Sequence, residues 1–497
     1  MFDVILVAFI VFLACHWYCD YRSSNLPPGP PSLPLIGHLP LLDQDPRAQF
    51  VTWRRQYGDV FSLYLGSRLV VVLNGYDVIK DALVKHADIF SVRPKMFITD
   101  LITQRGIVFN SGPSWKEQRK VSIQILRSLG MGRQRFADNM LAEVSEFVKA
   151  VGKKQGQATD LSKVIIVSMS NNICSVIFGR RFDYDFPNFL RYLDLIQENF
   201  HHLRSTNLVN YLPWLRFLPG DLFKAKKILH NVQEMNKCFL IPQIQRHIDN
   251  QNGGDDTDNE ESDDFISAYL KQIRKEKATG NAPSTVNEEN LLWVVSDLFV
   301  AGTETLTSTL LWIILYLIHN PKVQDKCFKE ISDVIGRTSP PSLRHRQDMT
   351  YVQATILETL RIADVGGMGL QHGVLRTAEF RGCTIPRDAI VLPILHSALH
   401  DSAVWGDPEN FRPERFLDSA GGLVKKAEFI PFSLGRRQCP GEGIARQQLF
   451  FYVTSLIQHF RFLPAEDGQL PSLDGIQGFT FSPAPFCLRA VPRDDQA

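Results

Sequence analysis

One cysteine loop constrains this chain more than any other stretch. The run Pro431-Phe-Ser-Leu-Gly-Arg-Arg-Gln-Cys439-Pro-Gly441 sets a single cysteine between glycines. Two arginines precede it, and the aromatic Phe432 lies seven residues upstream. A helical pattern opens at once with Glu442-Gly-Ile-Ala-Arg. A thiolate at a helix start is stabilised by the positive end of the macrodipole and by unpaired backbone N–H groups. Glycines permit the tight turn that brings those N–H groups to the sulfur. Phe432 can lie against the sulfur and keep water away. Such a cysteine can serve as a nucleophile, a redox thiol or a metal ligand. With no base and no second cysteine nearby, a single-thiolate iron ligand is the best chemical fit.

The pattern Phe432-x-x-Gly435-x-Arg437-x-Cys439-x-Gly441 resembles the haem-binding signature of the cytochrome P-450 family, at every fixed position. The bland alternative is a structural cysteine buried in a glycine-rich loop. The resemblance covers nearly the whole chain and is strongest to the animal microsomal branch that includes family 2. It implies a mainly α fold: a triangular helical bundle with small β-sheets and an N-terminal membrane anchor. It also implies haem b (iron protoporphyrin IX) as cofactor and Cys439 as the iron ligand.

Length alone would suggest two or three domains, whereas the resemblance implies one large, mostly helical unit. The chain has 497 residues with 44% apolar content, enough for a large core. Its net charge of +1 points to no nucleic-acid partner. Eight scattered cysteines without a C-x-x-C pair read as reduced thiols facing the cytosol. Residues 4–19 are almost wholly apolar, with Trp17 and Tyr18 at the far end. At ~1.5 Å per residue the run spans roughly 24 Å, a little short of a ~30 Å hydrocarbon core. The expected organisation is an anchor over residues 1–22, a proline-rich hinge over 23–45, and a catalytic unit over 46–497. Prolines between residues 27 and 34 fix φ and make the hinge stiff and extended.

Further along, residues 59–73 read as a β-hairpin around Gly66-Ser-Arg. A helix is expected to start near Ser114, with Trp115 and Arg119 on one face. The resemblance makes this pair haem-propionate ligands, joined by His372 and Arg437, with Arg105 as a weaker match. Residues 134–250 are helical by period. Residues 208–218 form an apolar, aromatic patch that is either core or a channel lid dipping into lipid. The acidic run 253–264 reads as a solvated loop.

A long apolar helix is expected from about residue 289 to 319, opened by a Thr285–Glu288 capping box with Asn287 as the competing cap. At its middle stands Ala301-Gly-Thr-Glu304-Thr305. An acid and two hydroxyls inside an apolar helix are costly unless they serve something. Glycine there lets the backbone approach a ligand. Threonine can bond a carbonyl one turn back and open a groove. The quintet resembles the family's oxygen-activation motif, which implies that Thr305 and Glu304 are catalytic, ordering water and relaying protons. The resemblance also joins Glu358, Arg361 and Arg415 into a buried structural network. Residues 363–372 depart from close relatives, carrying three glycines where those usually carry prolines.

The implied reaction inserts one oxygen atom of O₂ into an apolar small molecule such as a fatty acid, steroid or xenobiotic. Electrons would come from NADPH through a membrane-bound cytochrome P-450 reductase, since no flavin or nicotinamide fingerprint is visible. The implied place is the cytoplasmic face of the endoplasmic reticulum membrane, in contact with lipid. Two other readings stand beside it. One is a haem-thiolate isomerase or dehydratase, which would be expected to lack the Glu304-Thr305 pair. The other is a non-catalytic haem-binding or gas-sensing protein.

Overall fold

The computed structural model describes residues 25–103, 105–129, 134–252, 264–279 and 284–493. The apolar run 4–19 and the acidic residues 253–263 lie outside the described residues. The fold is mainly helical. The helices that matter for the site are α1 (Arg47–Tyr57), α2 (Gly112–Ser128), α3 (Gln134–Gly152), α4 (Ser162–Phe178), α5 (Pro187–Tyr211), α6 (Glu288–His319), α7 (Thr350–Ile362), α8 (His396–Leu399) and α9 (Glu442–His459).

The largest sheet contains the expected hairpin, β1 (Val60–Leu65) and β2 (Arg68–Leu73), in antiparallel register from Val60 opposite Leu73 to Leu65 opposite Arg68. Gly66 turns it with φ +57°, and a β-carbon there would lie 2.1 Å from the Tyr211 carbonyl oxygen. Glycine is therefore needed twice, for the turn and for the approach of the end of α5. Two short strands complete the sheet, β3 (His372–Gly373) and β4 (Ile390–Pro393). β4 runs parallel to β2, and β3 lies antiparallel on β4 with His372 opposite Val391. This pairing carries His372 into a buried position.

The proline segment is extended, as fixed φ angles require. It does not stand away from the body: Pro27 and Pro28 carbonyls accept from the Ser62 hydroxyl and N–H at 2.7 and 2.8 Å. Buried His38 ties Pro30 to Tyr64 from within the same segment.

Helix α6 is the core of the bundle. Phe299, Leu306, Leu310 and Ile314 lie in one apolar cluster with Ile165 and Met169 of α4 and Ile444 and Phe451 of α9. The Asn287 side chain caps the helix by accepting from the Asn290 N–H at 2.9 Å. The Thr285–Glu288 capping box is not formed. Glu117 of α2, a charged acceptor, takes the Thr285 N–H at 2.8 Å, the Thr285 hydroxyl and the Ser284 hydroxyl. At Gly302 a β-carbon would stand 2.6 Å from Ile173 Cδ1, so the missing side chain serves the contact with α4. Thr303 faces the same way, accepting from Ser170 at 3.1 Å.

The patch at 208–218 is split between its two readings. Val209, Tyr211 and Leu215 are buried, while Leu208, Trp214, Phe217 and Leu218 are exposed, Phe217 by 75%.

Candidate active site around Cys439

The loop before α9 is held from both sides. Ser433 (φ +61°) and Gly435 (φ +73°) turn it. A β-carbon on Gly435 would lie 2.0 Å from the Leu83 carbonyl oxygen, so only glycine fits. The Phe432 carbonyl accepts from the Cys439 N–H at 3.0 Å and closes the loop. The Phe432 ring packs against the central cluster beneath the Arg446 guanidinium. Gly441 has an ordinary φ of −91°, and a β-carbon there would only touch the sulfur at 3.9 Å. Neither a tight turn nor steric clearance therefore demands glycine at this position.

Cys439 is exposed, yet protein surrounds it so densely that burial pushes its thiol up. The sulfur therefore faces an internal cleft. The Gly441 and Glu442 N–H groups at the helix start pull the pKa back down, as does Arg119, while the Glu442 carboxylate opposes them. Ala301, midway along α6, is likewise exposed although α6 is the core helix.

Beside the cysteine loop the fold collects cations. Arg437 stacks 3.6 Å above the Trp115 ring. Its guanidinium donates to the carbonyls of Ser91 (2.8 Å), Ile107 (3.3 Å) and Asn110 (2.7 Å) and to the Ser111 hydroxyl (3.3 Å). Arg119 donates to the Gln438 carbonyl. Arg93, which sequence reasoning missed, completes the group and donates to the Val108 and Gln371 carbonyls at 3.0 and 2.7 Å. Burial, then repulsion from Arg93 and Arg119, drives the Arg437 pKa down to about 8. Burial and Arg119 lower Arg93 to about 10. His372 donates from Nδ1 to the Phe90 carbonyl at 2.6 Å; burial, with Arg93 and Arg437, lowers it to about 3. Arg105 is not in the group: it pairs with Glu289 at 2.8 Å on an exposed surface. The signal for Arg93 was the Ser91-Val-Arg-Pro94 segment, but nothing local distinguishes it from an ordinary loop arginine.

This donor set can be tested against haem. The Trp115 Nε1–H is buried with no partner. A guanidinium has five N–H donors. Arg93 spends three on backbone carbonyls and Arg119 one, so both retain N–H groups without a protein partner among the described residues. No carboxylate figures among the influences on Arg93 or Arg437. A cluster of buried cations and orphaned donors fits a ligand that brings carboxylates, as the two propionates of haem do. The thiol of Cys439 in the adjoining cleft fits its iron.

On α6, the Thr305 hydroxyl donates to the Ala301 carbonyl at 2.7 Å, and the Thr309 hydroxyl repeats this to Thr305. Glu304 accepts from the Thr480 hydroxyl at 3.3 Å, and burial raises its pKa. Thr480 belongs to the C-terminal turn, whose Phe479 meets Phe109 and Phe200 at ring separations of 6.4 and 5.5 Å. Glu358 is fully buried with Arg361 and Arg415, at 2.8 and 3.0 Å, as the resemblance implied.

The Cytochrome P450 family model matches residues 27–489. Among curated proteins, Cytochrome P450 2U1 of Homo sapiens is 35% identical, covering 97% of this chain and 92% of that protein. Cytochrome P450 2B4 of Oryctolagus cuniculus is 37% identical over 93% and 94%. Cytochrome P450 2D6 of Homo sapiens is 37% identical over 99% and 98%. With a cysteine loop and a cationic cradle that suit haem, and with likeness along almost its full length, this chain belongs to the cytochrome P450 family and is a haem-thiolate monooxygenase.

Proposed function

We propose that Cys439 ligates the haem iron, that Trp115, Arg119, His372 and Arg437 hold the propionates together with Arg93, and that Glu304 and Thr305 deliver protons in the cleft. The observation that carries this reading is the concentration of orphaned donors and mutually repelling cations beside Cys439, which faces an internal cleft. Haem, once bound, would supply the oxygen-activating chemistry, which thiolate ligation by Cys439 would favour.

The chain's own residues do the rest. The Gly441 and Glu442 N–H groups stabilise the thiolate, and Phe432 shields its loop from water. The Thr305 O–H donates its hydrogen bond to the Ala301 carbonyl, so its lone pairs are left to accept from a water in the cleft and hold it there. Glu304 has a raised pKa, so it keeps a proton closer to neutrality than a surface carboxyl, and Thr480 orients it. Phe109, Phe200 and Phe479 supply apolar surface for a small hydrophobic substrate.

The wider reading is an enzyme of the endoplasmic reticulum membrane, on its cytoplasmic face. Residues 1–22 anchor it, residues 23–45 lead to the body, and residues 46–497 form the catalytic unit. An NADPH-dependent cytochrome P450 reductase supplies electrons. The exposed Trp214, Phe217 and Leu218 support contact with lipid.

Thr305→Ala tests the proton role. It removes a hydroxyl without adding bulk, so folding and haem uptake should survive. In a reconstituted system with reductase, NADPH should still be consumed while peroxide rises and oxygenated product falls. General acid–base help is typically worth about 10²–10⁴ in rate, and a replacement water makes the lower end the expectation. Unchanged product per NADPH would leave Thr305 as a helix residue only.

A further inference from the structure

We propose that Asp364, His396 and His400 form a site for one zinc-class divalent ion, outside the cysteine loop and the cationic cluster. One ligand atom from each lies within 4.8 Å of the others. Around zinc, with bonds of roughly 2.0–2.2 Å, tetrahedral ligand atoms stand roughly 3.4 Å apart, so small side-chain rotations close the set. His396 and His400 are four residues apart and share one face at the short helix α8, their rings stacked at 4.0 Å. That spacing is the one by which two histidines of a helix reach a common ion.

The polar atoms are incompletely satisfied without a ligand. His396 Nδ1 donates to Asp364 Oδ2 at 2.7 Å. Asp364 Oδ1, however, is buried with no partner, and His400 Nδ1 has no more than a loose contact with the His396 backbone one turn back. Asp364 is only 1% exposed, so an unused carboxylate oxygen there is costly. An ion in this cluster would give the unpartnered Asp364 oxygen its missing partner.

The backbone around Asp364 makes room for this arrangement. Asp364 is itself left-handed at φ +51°. A β-carbon on Gly367 would lie 1.9 Å from Asp364 Oδ2, so the carboxylate occupies the space a side chain at 367 would need. The glycine-rich departure at 363–372 thus has a local consequence: it lets the carboxylate fold beneath the loop.

Two imidazoles and one carboxylate suit a borderline ion such as zinc better than calcium or magnesium, which need more oxygen ligands. The facing charges are Arg47 of α1, with Nη1 3.6 Å from Asp364 Oδ2, and Arg361 of α7. Arg47 is engaged by Asp45 at 2.7 Å and shares the Asp364 carboxylate with the ion. Bound metal would fasten the loop after α7 to α8, reinforcing the His396 N–H bond to the Gly367 carbonyl at 3.0 Å. The same loop receives the Phe481 N–H at the Val365 carbonyl, 2.9 Å, next to Thr480. The ion would therefore brace the turn that orients Glu304.

The test uses full-length, tag-free, haem-loaded protein, in which Cys439 is occupied. Zinc per haem is measured by elemental mass spectrometry after desalting, and affinity by competition with a chromophoric zinc chelator. The expected result is one zinc per chain, not displaced by millimolar calcium or magnesium. Affinity should fall by at least about 100-fold in His396→Ser and Asp364→Asn, since losing even an outer partner typically costs ~10–100-fold. Should Asp364→Asn fail to retain haem, His396→Ser at the half-buried position decides alone. Sub-stoichiometric zinc in the parent, or equal affinity in parent and His396→Ser, would overturn the proposal.

Discussion

Two buried charged regions of this molecule are built in opposite ways. Around Glu358 the charges close on themselves. Arg361 takes both carboxylate oxygens at 2.8 Å, and Arg415 shares one at 3.0 Å. The other guanidinium N–H groups end on the carbonyls of Leu399, Trp405, Asp407, Pro408 and Asn410 and on the Asp407 carboxylate. Around Trp115 the charges stay open: Arg93, Arg119 and Arg437 repel one another and an indole N–H has no partner. A closed network is complete as folded, whereas an open one is complete only with its ligand. Burial alone does not separate structure from function; unsatisfied valence does.

The largest expected effect lies at the sulfur that adjoins the open region. Cys439→Ala should abolish the thiolate-type absorption of the reduced carbonyl complex entirely. Retention of that long-wavelength band would remove Cys439 as ligand.

Next comes a paired experiment in which the two regions should respond with opposite sign. Glu358→Gln leaves two buried guanidiniums facing a neutral amide. Breaking a buried pair in this way costs about 3–5 kcal/mol, visible as a lowered thermal midpoint with poor haem recovery. Arg93→Gln instead relieves repulsion. The haem-free chain should be as stable as the parent or more so, while haem is lost to an apoglobin acceptor about 10-fold faster, the weight of one charge-assisted contact of ~1.5 kcal/mol. If Arg93→Gln destabilises the haem-free chain as Glu358→Gln does, the distinction between open and closed networks fails.

The smallest effect is a pH dependence. The pKa of His372 in the folded chain, about 3, lies below the ~6.5 of an unfolded histidine. The unfolded state then binds more protons between those values. Stability from this group is full above about pH 6.5 and is lost as pH falls toward 3. The unfolding free energy of the haem-free chain, from denaturant titration, should therefore drop between pH 7 and pH 5 by about 1–2 kcal/mol more in the parent than in His372→Gln. Haem carboxylates would offset the repulsion at His372, so the difference should shrink in the loaded protein.

Much of this protein was legible in its sequence because local chemistry is specific there. A cysteine between glycines at a helix start, an acid and hydroxyls in an apolar helix, and a tryptophan four residues before an arginine are all short-range patterns. Each is fixed by backbone geometry within one or two turns, and the hairpin at 59–73 follows from the same kind of rule. The tertiary structure decided whatever depends on partners far along the chain. Only packing against Ile173 gave Gly302 its part in a helix contact. Only the nearness of Glu117 took Thr285 from its capping role, and only Glu289 drew Arg105 away from the cationic cluster. Arg93 joins that cluster through carbonyls 15 and 278 residues away. Asp364 meets His396 across 32 residues, because a glycine three positions on leaves its carboxylate room to turn. Short-range motifs are written in backbone preferences, but which charges share a buried space is settled by long-range packing, and no local pattern encodes it.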